Sequence, residues 1–202
     1  MMKEQEIDAQ LHIQTTGDQM GVNKAAHYHH YEPTPYAALE QLFAHYEMQS
    51  TDRAVDYGCG KGRLNFYLHQ RFHASVVGIE MNELFYKESL ANLERYARHA
   101  RVGPGQIQFH CCLAELYEVS PEDNKFYFFN PFSVQIFIRV MNNILDSIDQ
   151  YPRTAEIILY YPSDDYIYYL EHRTPFEFKM EVVLPELYER DPRERFVVYQ
   201  LL

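Results

Sequence analysis

The stretch that most restricts how this chain can fold runs from Arg53 to Glu80: Arg-Ala-Val-Asp-Tyr-Gly-Cys-Gly-Lys-Gly-Arg-Leu, an amphipathic run, then Ser-Val-Val-Gly-Ile-Glu. A short apolar strand holding Ala54 and Val55 breaks into Gly58, Gly60 and Gly62, after which Leu64, Tyr67, Leu68 and Phe72 recur at helical spacing. Strand, tight turn and helix in that order leave the first helical amides without intrahelical partners, at the positive end of the helix dipole. Glycines let such a turn take positive φ and let a ligand approach the backbone. The turn is built to hold something polar or anionic. About 20 residues on, a second β-branched strand from Ser75 to Ile79 ends in Glu80, an acid able to accept hydrogen bonds from both hydroxyls of a ribose. A nucleoside-containing ligand is the natural reading.

Glycine spacing narrows that ligand. A dinucleotide fingerprint requires glycine at Arg63, and a Walker loop requires Ser or Thr where Gly62 follows Lys61. Asp56, Gly58, Gly60 and Gly62 after an apolar strand, with Glu80 ending the next, resemble motif I and the acidic motif of class I S-adenosylmethionine (SAM)-dependent methyltransferases. The resemblance extends over roughly residues 34–202. It implies a Rossmann-like α/β domain with a seven-stranded sheet, mostly parallel with an antiparallel C-terminal pair, helices on both faces, and SAM as cofactor. Other readings are a SAM-binding sensor without turnover and, disfavoured by the glycine spacing, a nicotinamide oxidoreductase.

A chain of 202 residues fits one domain. The net charge of -11 would repel a polyphosphate backbone, and no Lys/Arg cluster stands out, which disfavours bulk nucleic-acid binding. No apolar run approaches membrane-spanning length, and the first residues lack a signal-peptide core, so the expectation is a cytoplasmic protein. Three cysteines, two of them adjacent at Cys111 and Cys112, make neither a disulfide framework nor a zinc pattern. With 18 Tyr and 13 Phe, aromatic residues are plentiful enough to line a pocket as well as a core.

Residues 1 to about 26 are polar and unpatterned and read as a mobile arm, so that 1–33 form an arm or lid and 34–202 the methyltransferase domain. His27, His29 and His30 lack the further partners that a metal site needs. Thr34 followed by Pro35 predicts an N-cap and first helical residue, with a helix to about Tyr46. By the resemblance, Tyr31, Thr34 and Tyr36 are cofactor-lid contacts, alongside plain capping and packing roles.

After Glu80 the pattern predicts a helix over roughly 82–101, a strand over 107–112, and a strand over 125–129 that is apolar throughout, as a strand covered on both faces should be. In the family an acid after the third strand accepts from the adenine amino group. Leu113 stands there, which leaves the backbone of Leu113 and Ala114, or Glu115, to hold adenine. His110 and the two cysteines are expected to be strand packing.

The fourth strand delivers Asn130-Pro131-Phe132 to the sheet edge where ligands of open α/β folds bind. That tripeptide resembles the Asp/Asn-Pro-Pro-aromatic motif of amino-group methyltransferases, lacking one proline. An Asn oxygen and nearby carbonyls can accept the hydrogens of a substrate NH2 so that its lone pair faces the methyl, and Phe132 can stack on a planar substrate. Asn130 as turn residue and Pro131 as strand breaker is the competing account. A helix over 134–150, a strand over 155–161 ending in Tyr160 and Tyr161, a short helix, and closing strands over 176–184 and 195–202 complete the chain, with 185–194 read as a solvated loop. The acceptor, whether small molecule, protein or RNA, is not specified by these residues.

Overall fold

The computed structural model describes residues 4–16 and 32–202. Two short helices come first, α1 (Glu4–Gln10) and α2 (Tyr36–Leu42). One sheet follows, built from β1 (Arg53–Tyr57), β2 (Ser75–Glu80), β3 (Ile107–Cys111), β4 (Lys125–Phe128), β5 (Ala155–Tyr160), β6 (Glu177–Val183) and β7 (Arg195–Leu201). Its order is β3-β2-β1-β4-β5-β7-β6, with β1 to β5 parallel and β7 antiparallel to both β5 and β6. Parallel neighbours need crossovers, supplied here by α3 (Arg63–Phe72), α4 (Glu83–Ala97) and α5 (Val134–Gln150); α6 (Asp164–Arg173) links β5 to β6. The seven strands, the antiparallel end and the helices on both faces agree with the sequence reading.

Burial on both sides follows from strand alternation. In β1, Ala54 joins a cluster with Leu39, Leu64, Phe66 and Tyr96, while Val55 joins the opposite cluster with Phe137, Val140 and Ile144. Every residue of β4 and β5 is buried, which explains their near-continuous apolar sequence. From β1 the chain proceeds to β2 and β3 on one side and then to β4 and β5 on the other. The crevice between the β1 and β4 exits is therefore the topological switch point, where open α/β sheets take ligands.

Four expectations need correction. The early residues are not without fold: α1 is helical, and Leu11 and Ile13 reach the core. Thr34 does not cap α2, because Pro35 takes the N-cap position and the Thr34 hydroxyl lies 2.7 Å from the buried Tyr127 hydroxyl, which needs a partner. His110 and Cys111 are exposed, since β3 is the edge strand. The stretch after β6 holds a helical turn, α7 (Pro185–Tyr188), and two of its acids bind tyrosines at the end of β5. No helix among the described residues is long and apolar enough to cross a membrane.

Candidate active site

The turn after β1 passes through Gly58 (φ +83°) to Gly62 (φ +86°), which holds the N-cap position of α3. Packing demands glycine at both: a Cβ on Gly58 would stand 2.8 Å from Cβ of Pro131, and one on Gly62 would stand 2.7 Å from the Phe109 ring. The turn is pinned to β2. Gly58 and Cys59 N–H donate to the Ile79 carbonyl at 2.9 and 3.0 Å, and Gly60 N–H donates to Glu80 Oε2 at 2.9 Å. Glu80 Oε1 accepts from Asn82 N–H at 2.7 Å. A carboxylate has about four lone-pair sites, so two such bonds leave acceptor capacity for ribose hydroxyls.

Asp56 lies behind this turn, buried, and its carboxyl is pushed up to about 8 by burial and then by the Glu80 charge. Burial also raises Glu80, while N–H bonds from Asn82 and Gly60 pull it down. Two neighbouring carboxyls share one negative charge more cheaply than two, and the backbone donors assign it to Glu80. With its amide turned to satisfy both neighbours, Asn65 of α3 donates to Asp56 Oδ2 at 3.1 Å and accepts from Gly78 N–H at 3.3 Å. Sequence reading missed Asn65; its one signal is a polar residue on the apolar side of an amphipathic helix.

Across the crevice, β4 exits into Asn130 at φ +40° and β5 exits into Tyr161 at φ +50°. Left-handed backbone is uncommon outside glycine, more so for a bulky residue, and such strain gathers at functional sites. The Tyr160 ring packs against Phe129 and Phe196, with both centroid distances 4.5 Å. Its hydroxyl donates to Glu194 at 2.8 Å, and the Tyr161 hydroxyl donates to Asp191 at 2.6 Å. Burial raises the Tyr160 phenol, the Glu194 bond adds to this, and the Glu32 charge contributes. Arg193 sits 4.4 Å from the Tyr161 ring and pairs with Asp191 at 2.8 Å. Among the described residues, the Glu32, Asp191 and Glu194 carboxylates and the Arg193 guanidinium thus gather around these two tyrosines.

The arm is fastened to the other side of the glycine turn. Arg63, the first residue of α3, is buried; its Nε donates to Thr15 Oγ1 at 2.7 Å, and it pairs with Glu4 and lies 3.9 Å from Asp8. Asp8 accepts from Thr15 N–H at 2.6 Å and from the Tyr36 hydroxyl at 2.7 Å.

Solved structures share this architecture. An RNA methyltransferase from Salinibacter ruber in complex with S-adenosyl-L-homocysteine superposes with a TM-score of 0.54 at 16% identity, covering 84% of this chain and 92% of that one. A SAM-dependent methyltransferase from Thiobacillus denitrificans, also with S-adenosyl-L-homocysteine, gives 0.54 at 15% identity over 89% and 95%. The chain has the fold of class I methyltransferases. In sequence, a protein-lysine N-methyltransferase from Saccharolobus islandicus is 32% identical over 66 residues, 32% of this chain and 41% of that relative's length. No protein-family model matches the chain.

Against this methyltransferase fold, Asp56, Gly58, Gly60, Gly62 and Glu80 assemble around one turn, with Pro131, the residue after Asn130, against it. Phe132 does not join them. It is 1% exposed, edge-on to Phe128, and its carbonyl accepts from the Tyr166 hydroxyl at 2.5 Å, so core packing replaces the expected substrate stacking. Glu115 is turned toward α5, where its carboxylate lies 3.5 Å from Arg139 and its carbonyl accepts from Asn143, which argues against an adenine contact. Leu113 is exposed and Ala114 buried beside it, beyond the β3 exit. Thr34 is buried with its hydroxyl on Tyr127 and its carbonyl accepting from Arg63, so it joins the arm to β4 and α3. Tyr31, like the three histidines before it, lies outside the described residues.

Proposed function

We propose that this chain transfers a methyl group from SAM to an amino nitrogen of a cationic acceptor. The observation that carries the reading is the approach of Pro131 to Gly58, which leaves no room for a Cβ and so brings the residue after Asn130 against the glycine turn. When bound, SAM would supply a sulfonium methyl; the acceptor nitrogen, after losing its ammonium proton to water, would use its lone pair to form the N–C bond as the C–S pair returns to sulfur.

Glu80 binds the ribose hydroxyls, and the glycine turn, its Gly58, Cys59 and Gly60 amides committed to β2, lets the rest of the cofactor come close to its backbone. Leu113 and Ala114 flank the adenine with apolar surface and backbone. Asn130, held left-handed, orients the acceptor NH2 through its side-chain oxygen. Three carboxylates at the Tyr160–Tyr161 rim favour the approach of a cation over that of a polyphosphate, and the short match to a lysine methyltransferase points the same way. The arm over 1–33 covers the cofactor as a lid, anchored where Glu4, Asp8 and Thr15 meet Arg63. Free thiols at Cys59, Cys111 and Cys112 suit a reducing cytoplasm.

The test is turnover. Incubation with SAM and lysine-rich protein or peptide should yield S-adenosylhomocysteine and an acceptor heavier by one methyl group. Asn130→Ala should leave SAM affinity nearly unchanged while lowering kcat/KM by roughly tenfold to a thousandfold. Loss of SAM binding in that variant, with activity per bound cofactor spared, would make Asn130 a strand terminator. SAM binding without turnover on any amine would leave the sensor reading, which the apolar Leu113 at the adenine position favours.

A further inference from the structure

Away from the crevice, a groove of about 730 Å³ runs between α1 and the last turns of α4, a volume typical of small-molecule sites. Gln5, His12, Gln14, Arg95, Arg98 and His99 line it. Among the described residues, the one carboxylate in its wall is Asp8, whose oxygens are committed to Thr15 and Tyr36 beside Arg63. In a chain of net charge -11, two arginines meet here with no uncommitted acid among the described residues of the wall.

Cations at the C-terminal end of a helix answer its dipole, which accounts for the charge of Arg95 in the last turn of α4 and of Arg98 at its C-cap. It does not account for the Arg95 hydrogen bonding: Nη2 donates to Asn92 Oδ1 at 2.5 Å, but Nε is buried with no hydrogen-bond acceptor among the described residues. A buried unpaired donor is costly, so turning the Arg95 guanidinium out to a groove ligand that supplies the acceptor brings a gain. His12, in left-handed backbone (φ +55°), stacks on His99 at 3.6 Å and 16°. That stack sets two imidazoles beside the guanidinium groups. Two guanidinium forks with flanking ring N–H donors match the oxygens of a phosphate better than one planar carboxylate.

We propose that this groove is a second ligand site that binds a phosphomonoester through Arg95 and Arg98. Its floor connects to the cofactor turn. Asn92 accepts from Arg95 and from Gln14 N–H at 2.8 Å, and its Nδ2 donates to the Lys61 carbonyl at 2.9 Å. An occupant on Arg95 stands two hydrogen bonds from the glycine turn, so ligand and SAM should alter each other's affinity reciprocally; this coupling rests on the SAM reading, whereas the site does not.

Titration calorimetry of the full chain with inorganic phosphate, glycerol phosphate and a 5′-phosphorylated oligonucleotide separates free from polymer-borne phosphate. Saturable binding of at least one is expected. Arg98→Gln should weaken it about tenfold or more, with the thermal midpoint of the unliganded chain unchanged. Arg101→Gln, an exposed cation outside the groove, should leave binding as it is. No saturable binding, equal binding by Arg98→Gln, or an equal loss in Arg101→Gln would overturn the site. A SAM affinity indifferent to saturating phosphate would overturn the coupling.

Discussion

Glu80 holds the glycine turn through Gly60 N–H and its own exit turn through Asn82 N–H, one on each carboxylate oxygen. That arrangement makes the amide isostere a poor substitute. Glu80→Gln must set an NH2 against one of two backbone donors, leaving a buried N–H unpaired at a cost of about 1–3 kcal/mol. The expected outcome is a lower unfolding free energy together with weaker SAM binding, read by denaturant titration and calorimetry. A variant as stable as the parent and binding SAM equally well would show that these bonds position nothing. Phe132 teaches the opposite lesson at the same scale. An aromatic residue after Asn130-Pro131 reads as a stacking surface, yet it packs edge-on against Phe128 and its carbonyl takes the Tyr166 hydroxyl.

At the scale of elements, α1 is too short to stand alone, and its docking depends on one polar cluster. Asp8 receives the Thr15 amide and hydroxyl and the Tyr36 hydroxyl opposite the buried Arg63. Truncating one partner of a buried charge network strands the other, at a cost of about 3–5 kcal/mol. Asp8→Ala is therefore expected to lower stability by that order and to speed amide exchange in α1, the start of α2 and the first turn of α3. Exchange that rises in α1 alone would show that the arm rests on α3 without bracing it.

For the molecule as a whole, the carboxyls behind the glycine turn set a pH dependence. Asp56 has its folded value pushed up to about 8, against roughly 4 in an unfolded chain. Between those values the folded state holds a proton that the unfolded state has released, so stability falls as pH rises through the window. Its slope is at most about 1.4 kcal/mol per pH unit for each proton. The donation from Asn65 to Asp56 opposes the shift, and Glu80, raised in the same direction, adds to the fall. Chemical denaturation at pH 5, 7 and 9 should show decreasing stability in the parent and a flatter profile in Asp56→Asn. A parent curve level across this range would mean that Asp56 is ionised in the folded state.

Periodicity and glycine spacing were enough to place the strand–turn–helix unit, Glu80 at the next strand end, and Asn130 at the sheet edge, because these are local properties of a chain that alternates faces or turns tightly. The seven strands and their directions were implied by the resemblance to class I methyltransferases that those residues carry. What remained hidden depends on which surfaces meet. Nothing near Arg63 in sequence announces Glu4, Asp8 and Thr15 as its partners, and polar residues without periodicity read as a loose arm until a buried guanidinium gathers them. Gly58 and Pro131, more than seventy positions apart, become neighbours only when β1 and β4 pair in register. The fates of Thr34, Glu115 and Phe132 were likewise settled in space, where a buried hydroxyl, an arginine on α5 and an aromatic cluster each offered a partner closer than any ligand.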